Sequence, residues 1–198
     1  MKITYDLKHP DIAVLMKQDP KLKSLFETVG PLTIEINQPL FPFLVFTIVG
    51  QQLSTKVVDI LYQKIEKLVG SVTPENILSK PFEAYLELGL SRRKITTIQT
   101  VSEAALNGAL DPSYFQKSKK EMTDHLTQFK GIGPWTADMI LMFPLGDMDH
   151  FSTLDLGLVK AYQKLFFDAS LEVIEKDAEN WRPLRSVVAH YLWAYWDN

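Results

Sequence analysis

The sequence predicts an all-α fold built from many short helices. Apolar residues recur at i, i+3 and i+4 in segment after segment, which is the period of a buried helix face. Serine, proline and glycine fall at the edges of those segments, where helix starts and stops need them. Only residues 32–37 alternate like a strand, and a single strand makes no sheet.

The elements follow in order. Two short helices are expected at 9–17 and 20–29. Pro39 and Pro42 open the next, with Phe43, Phe46, Thr47 and Gly50 along one side. Ser54 reads as the N-cap of a helix over 55–69; Val57, Val58, Leu61, Ile65 and Leu68 form its apolar stripe and Gly70 closes it. Prolines start short helices at 74–79 and 82–88, and Ser91 caps a longer one to about 107, stopped by Gly108. Further helices are expected at 119–129, 134–142, 154–167, 171–177 and 183–195. A seam runs from Pro144 through Gly146 to His150. No repeat or low-complexity tract interrupts this pattern, and the short turns favour small helices crossing at varied angles over a long-helix bundle.

Composition narrows the function. At 198 residues the chain suits one domain or two small lobes, and 46% hydrophobic with 23% charged residues is ordinary for a globular protein. The absence of cysteine removes disulfides, zinc ribbons, thiol nucleophiles and iron–sulfur clusters. With 21 basic and 24 acidic residues the net charge is −3, so no diffuse positive coat is available to polyanions and any such contact must be local. The N-terminus lacks a signal-peptide run, and the most apolar stretch, 40–49, is too short to cross a bilayer. The expectation is an intracellular protein, of cytoplasm and nucleoid or of a nucleus, with no membrane partner. His9, His125, His150 and His190 show no metal-ligand spacing, and no Gly-x-Ser-x-Gly elbow is present.

The most informative stretch is Phe129-Lys130-Gly131-Ile132-Gly133-Pro134-Trp135-Thr136-Ala137. A helical segment runs into Gly-Ile-Gly, and Pro134 starts another helix at its first position. Two glycines one residue apart let the backbone turn tightly and present bare N–H groups, which with the next helix N-terminus form an anion site needing no lysine. Alone, the same residues suit a tight helix connection. The third glycine of a dinucleotide fingerprint is missing, as is the Gly-Lys-[Ser/Thr] ending of a P-loop.

This stretch resembles the hairpin of the helix-hairpin-helix (HhH-GPD) superfamily of DNA glycosylases. Three more segments agree in order. Gly50-Gln51-Gln52-Leu53-Ser54 resembles the signature of the 3-methyladenine DNA glycosylase II family. Leu154-Asp155-Leu156-Gly157-Leu158, 20 residues beyond Trp135, resembles the segment with the catalytic aspartate. Trp181-Arg182-Pro183-Leu184-Arg185-Ser186, leading to Tyr191-Leu192-Trp193, resembles the closing helix. The resemblance spans roughly 32–196 and implies two helical lobes flanking a cleft: lobe one about 40–147, with the hairpin at about 119–143, and lobe two about 1–39 plus 148–198. It also implies that no N-terminal β domain is present.

The roles it implies are specific. Asp155 is the catalytic carboxylate, stabilising positive charge on the sugar or activating water; N-capping the following helix is the structural alternative, compatible with it. Carboxylates that accept N–H bonds favour their ionised form, which suits both roles better than proton donation. Trp135, Met139 and Trp193 line the base pocket, where an indole stacks on a cationic methylated purine; Met139 replaces a tyrosine of the best-known bacterial member. Trp181 and Trp196 are expected in the core. Gln51, Gln52 and Leu53 form the wedge that fills the gap left by the flipped base, while Lys130, Gly131, Gly133 and Thr136 hold DNA. Arg92, Arg93, Lys94 and Lys56 add local positive charge. Backbone carbonyls of Thr127, Phe129 and Ile132 match a monovalent-cation site. Trp135 stands where bifunctional relatives carry a nucleophilic lysine, which implies simple hydrolysis. The implied protein is a monomeric base excision repair glycosylase acting without a cofactor on double-stranded DNA with alkylated purines, and leaving an abasic site. Hypoxanthine or uracil specificity, or a non-catalytic DNA-binding module, are the alternatives.

Overall fold

A computed structural model describes residues 1–111, 117–167 and 169–197. In chain order the elements are β1 (Lys2–Tyr5), α1 (Pro10–Gln18), α2 (Leu22–Val29), β2 (Leu32–Glu35), α3 (Leu40–Gly50), α4 (Thr55–Val69), α5 (Pro74–Leu78), α6 (Phe82–Glu87), α7 (Arg92–Leu106), α8 (Lys119–Leu126), α9 (Pro134–Met142), α10 (Leu156–Phe166), α11 (Leu171–Glu179) and α12 (Arg185–Asp197). The helical expectation holds, and among the described residues no helix is long and apolar enough to cross a membrane. The chain forms two compact units, one of Met1–Gln38 with Leu141–Asn198 and one of Pro39–Ile140.

The unit of 39–140 is built on α3, flanked by α4 and α7, with α5 and α6 against α7. The buried side of α3 is Leu44, Val45, Thr47, Ile48 and Val49. Of the expected face only Thr47 is fully buried; Phe46 sits half-buried, edge-on to Tyr62 with ring centroids 5.3 Å apart. Leu40–Gly50 is apolar all round, so its periodicity does not single out a face. On α4, Val58, Ile65 and Val69 carry the burial while Val57 is 41% exposed. Ser54 occupies the N-cap position of α4 but its side chain makes no capping bond. Ser91 does cap α7, accepting from the Lys94 amide, and Ser118 with Glu121 closes a capping box on α8. That helix stops at Leu126, three residues before the expected end, so Phe129 belongs to the turn.

The other unit holds the main departure from expectation. Residues 32–35 do find a partner: β2 pairs antiparallel with β1, Tyr5 opposite Leu32 and Lys2 opposite Glu35. The Lys-Ile-Thr-Tyr alternation of β1 is only four residues long, too short a signal to register. Helix α12 packs on α10 and α2, with Tyr191 edge-on to Phe26 and donating its hydroxyl to the Tyr5 carbonyl at 3.1 Å. Trp181 is fully buried and its indole N–H donates to Asp19 at 2.9 Å. Trp196, expected in the core, is 40% exposed: it lies on the last turn of α12, one residue before the helix ends. The closing helix begins at Arg185, two residues later than expected.

His190 lies inside this unit between Phe143 and Trp193, at ring centroid distances of 4.8 and 5.4 Å. Burial pushes its imidazole down to about 4, so it is neutral at physiological pH. An unfolded histidine takes a proton near 6.5 while the folded one resists until about 4, so the unfolded state binds more protons across that window and stability falls as pH falls. Urea titrations at pH 7 and pH 4.5 are expected to show a loss of about 2 to 3 kcal/mol attributable to this group. The loss shrinks by that amount in His190→Gln; an unchanged pH dependence in the variant would remove His190 as its source.

Candidate active site

Asp155 sits at the N-cap of α10, and the same carboxylate oxygen receives two donors. Oδ1 accepts the Leu158 amide at 2.8 Å and the Trp193 indole N–H at 3.1 Å. The residue is 9% exposed. Trp193 is in turn fixed by Phe143, whose ring lies at 5.6 Å with planes 29° apart. Gly157 leaves room for this arrangement, since a Cβ there would press on Asp155 Oδ1 at 3.0 Å and stand 3.7 Å from the Trp193 ring. Capping and chemistry are therefore compatible, because the cap fixes the carboxylate in place. The leucines on either side, Leu154 and Leu156, are exposed apolar residues beside a nearly buried acid.

The hairpin lies in the other unit and joins α8 to α9 through a turn in which Ile132 donates to the Phe129 carbonyl at 2.9 Å. Its two glycines have different reasons. Gly131 has φ +96°, and a Cβ there would stand 2.0 Å from Thr97 Oγ1, so conformation and packing both demand glycine. Gly133 has neither constraint, with nothing within 4 Å of a would-be Cβ. Only Gly131 thus makes the tight turn; Gly133 leaves the face over the first turn of α9 bare. Among the described residues the amides of Gly131 and Gly133 have no hydrogen-bond acceptor. Lys130 beside them is exposed. Trp135 is half-buried, Met139 is buried, and Thr136, expected to hold DNA, is 1% exposed with its hydroxyl accepting from Gln51.

Residues 50–53 form a β-turn. Leu53 N–H reaches the Gly50 carbonyl at 3.0 Å, Gln51 has φ −51° and ψ 118°, and Gln52 has φ +62°. These are type II angles, and the third position of that turn ordinarily holds glycine. Here it holds Gln52, exposed at the tip beside exposed Leu53. Gln51, expected in the wedge itself, instead reaches the hairpin, donating to the Gly131 carbonyl at 3.0 Å and Thr136 Oγ1 at 3.1 Å.

The expected basic cluster is smaller than it reads. Lys94 donates to the Val49 carbonyl at 2.7 Å, and burial lowers its ammonium from the ordinary lysine value. Arg92 lies over the Phe82 ring at 5.7 Å. Arg92 nonetheless stays exposed, as do Arg93, Lys56 and Lys130. Sequence pattern gives no sign of the Lys94, Gln51 and Thr97 contacts, since their partners lie in distant segments. Among the described residues no group of three His, Asp or Glu side chains could hold a metal ion. For a cation bound by the carbonyls of Thr127, Phe129 and Ile132, Phe129 would have one lone pair left after its bond to Ile132.

The model of the HhH-GPD superfamily of base excision DNA repair proteins matches residues 45–183. The chain belongs to that superfamily. The HhH-GPD match runs from within α3 to just before α12 and takes in the turn at 50–53, the hairpin and Asp155. DNA-3-methyladenine glycosylase 1 of Schizosaccharomyces pombe is 29% identical over 187 residues, covering 88% of this chain and 82% of its own. The alkylbase DNA glycosidase-like protein mag2 of the same yeast is 31% identical, covering 88% and 87%. The solved structure of the Schizosaccharomyces pombe 3-methyladenine DNA glycosylase in complex with abasic DNA superposes with a TM-score of 0.83 at 28% identity, covering 93% of this chain and 95% of that one. This HhH-GPD protein is a base excision repair glycosylase.

The left-handed Gln52 carries a specific expectation. A non-glycine residue in that region costs about 1 to 2 kcal/mol. Gln52→Gly is therefore expected to stabilise the free protein by about 1 kcal/mol in urea unfolding while weakening binding to lesion-containing duplex. A destabilised variant would show that the side chain serves the fold.

Proposed function

We propose that the protein hydrolyses the N-glycosidic bond of N-alkylated purines of the 3-methyladenine type, flipped out of double-stranded DNA, and leaves an abasic site. The observation that carries this reading is the Asp155 carboxylate, held through Oδ1 by the Leu158 amide and the Trp193 indole. The hairpin glycines and the first turn of α9 grip a backbone phosphate with N–H donors, which lets an acidic chain bind DNA locally. Gln52 and Leu53 enter the stack where the base has left. Each unit offers one indole on which a cationic purine can stack, Trp135 in the one and Trp193 in the other, and Met139 backs Trp135 from the core. The relatives named for 3-methyladenine and alkylbase substrates support this lesion class.

The chemistry follows from the charges. An N-alkylated purine is cationic, so when its bond to C1′ breaks the electron pair neutralises the ring and no general acid is needed. Positive charge moves to the sugar, where the anchored carboxylate stabilises it. Water then bonds to C1′, and its proton passes to the Asp155 carboxylate and from there to solvent. Trp135 offers no amine for attack on the sugar, so the strand is not cut by Schiff-base chemistry. The protein acts as a monomer with double-stranded DNA as its partner.

Base-release assays on duplexes carrying 3-methyladenine, 7-methylguanine, hypoxanthine or uracil test this reading. Release is expected from the two alkylated duplexes, with no adduct trapped by borohydride. Asp155→Asn keeps an oxygen for the α10 cap, so its melting temperature should stay close to wild type while release falls by about a thousandfold or more. Near wild-type release by that variant would overturn the assignment of Asp155, and release of hypoxanthine or uracil alone would overturn the lesion class.

A further inference from the structure

Gln51 belongs by sequence to the wedge turn, yet its side chain is committed to the hairpin. The two N–H donors of its amide meet two oxygen acceptors, one on each side of the glycine turn: the carbonyl of Gly131 at 3.0 Å and the hydroxyl of buried Thr136 at 3.1 Å. Two further contacts converge on the same place from α7. Lys94 fastens the Val49 carbonyl at the end of α3, just before the wedge turn, at 2.7 Å. Thr97, one turn along, lies against Gly131 so closely that no side chain fits there. The stem of the wedge, the turn of the hairpin and the first turns of α7 are thus joined within one unit.

We propose that Gln51 is a positioning residue that fixes the spacing between the phosphate gripped by the hairpin and the nucleotide displaced by Gln52 and Leu53. Phosphate binding and wedge insertion then act as one rigid body, and the base extruded is always the one at a set distance from the gripped phosphate. The residue type follows from the acceptors. The Gly131 carbonyl can only accept, so a glutamate of the same shape would lose that bond and place a charge against it. Gln51 touches neither base nor sugar, and its effect passes through the wedge. This inference rests on the wedge and hairpin roles proposed above.

A double-mutant cycle separates the possibilities. The measurement is single-turnover release of 7-methylguanine from a duplex, with the affinity for undamaged duplex taken in parallel. Gln51→Ala and Gln51→Glu are each expected to lower the maximal rate by about tenfold to a hundredfold, as a misplaced reacting group does, with undamaged-DNA affinity unchanged. In a background of Gln52→Gly with Leu53→Gly, which has no wedge to position, the added Gln51 substitution should cost nothing further. A loss that persists in full in that background, an equal fall in undamaged-DNA affinity, or no loss at all would overturn the proposal. Wild-type release by the wedge-deleted protein itself would instead remove the wedge reading, and the proposal with it. Should melting show either Gln51 variant unfolded, Thr136→Val, which deletes one of the two acceptors, is expected to give a smaller loss that likewise vanishes without the wedge.

Discussion

Asp155 Oδ1 accepts two N–H groups at once, and much of its unit is arranged to allow it. One donor is the start of α10, so the carboxylate is fixed by the helix it caps. The other is Trp193 of α12, so the packing of α12 on α10 sets where the acid lies. Phe143 braces the indole from behind, and Gly157 keeps the space between indole and carboxylate clear. A side chain held this way reorganises little as charge develops on a substrate, which is how a single carboxylate becomes useful in catalysis.

The other unit meets a different constraint. An acidic protein cannot hold DNA through a general positive field, so it must use directed donors. One of the cations that looked available, Lys94, serves the fold through a backbone carbonyl. What remains is a bare glycine turn, a helix N-terminus and a few exposed basic side chains. Gly131 and Gly133 divide the work: one allows the turn to pass close to Thr97, and the other has no structural reason to be glycine. The turn at 50–53 adds a strained Gln52 that the free protein would do better without.

Local chemistry was legible in the sequence. Ser91 and Asp155 cap α7 and α10 as expected, and Gly70 ends α4 with φ +76°. What was not legible depends on pairing across the chain. The four residues of β1 gain their meaning only opposite β2. Leu40–Gly50 is too uniformly apolar for period alone to choose its buried face. The bonds from Gln51 to the hairpin and from Lys94 to Val49 join distant segments by way of backbone carbonyls, which carry no residue code. Trp193 was expected on the base, and its bond to Asp155 gives it a second task that no spacing rule reveals.

The proposed chemistry requires the anchored Asp155 carboxylate to face the sugar undergoing cleavage. A crystal structure of the protein with duplex DNA containing a positively charged abasic-sugar mimic tests it directly. An Asp155 oxygen is expected within about 4 to 6 Å of the sugar's cationic centre, close enough to stabilise that charge, with the Leu158 and Trp193 bonds intact. A sugar bound beyond that range, with another acidic group or none beside it, would contradict it.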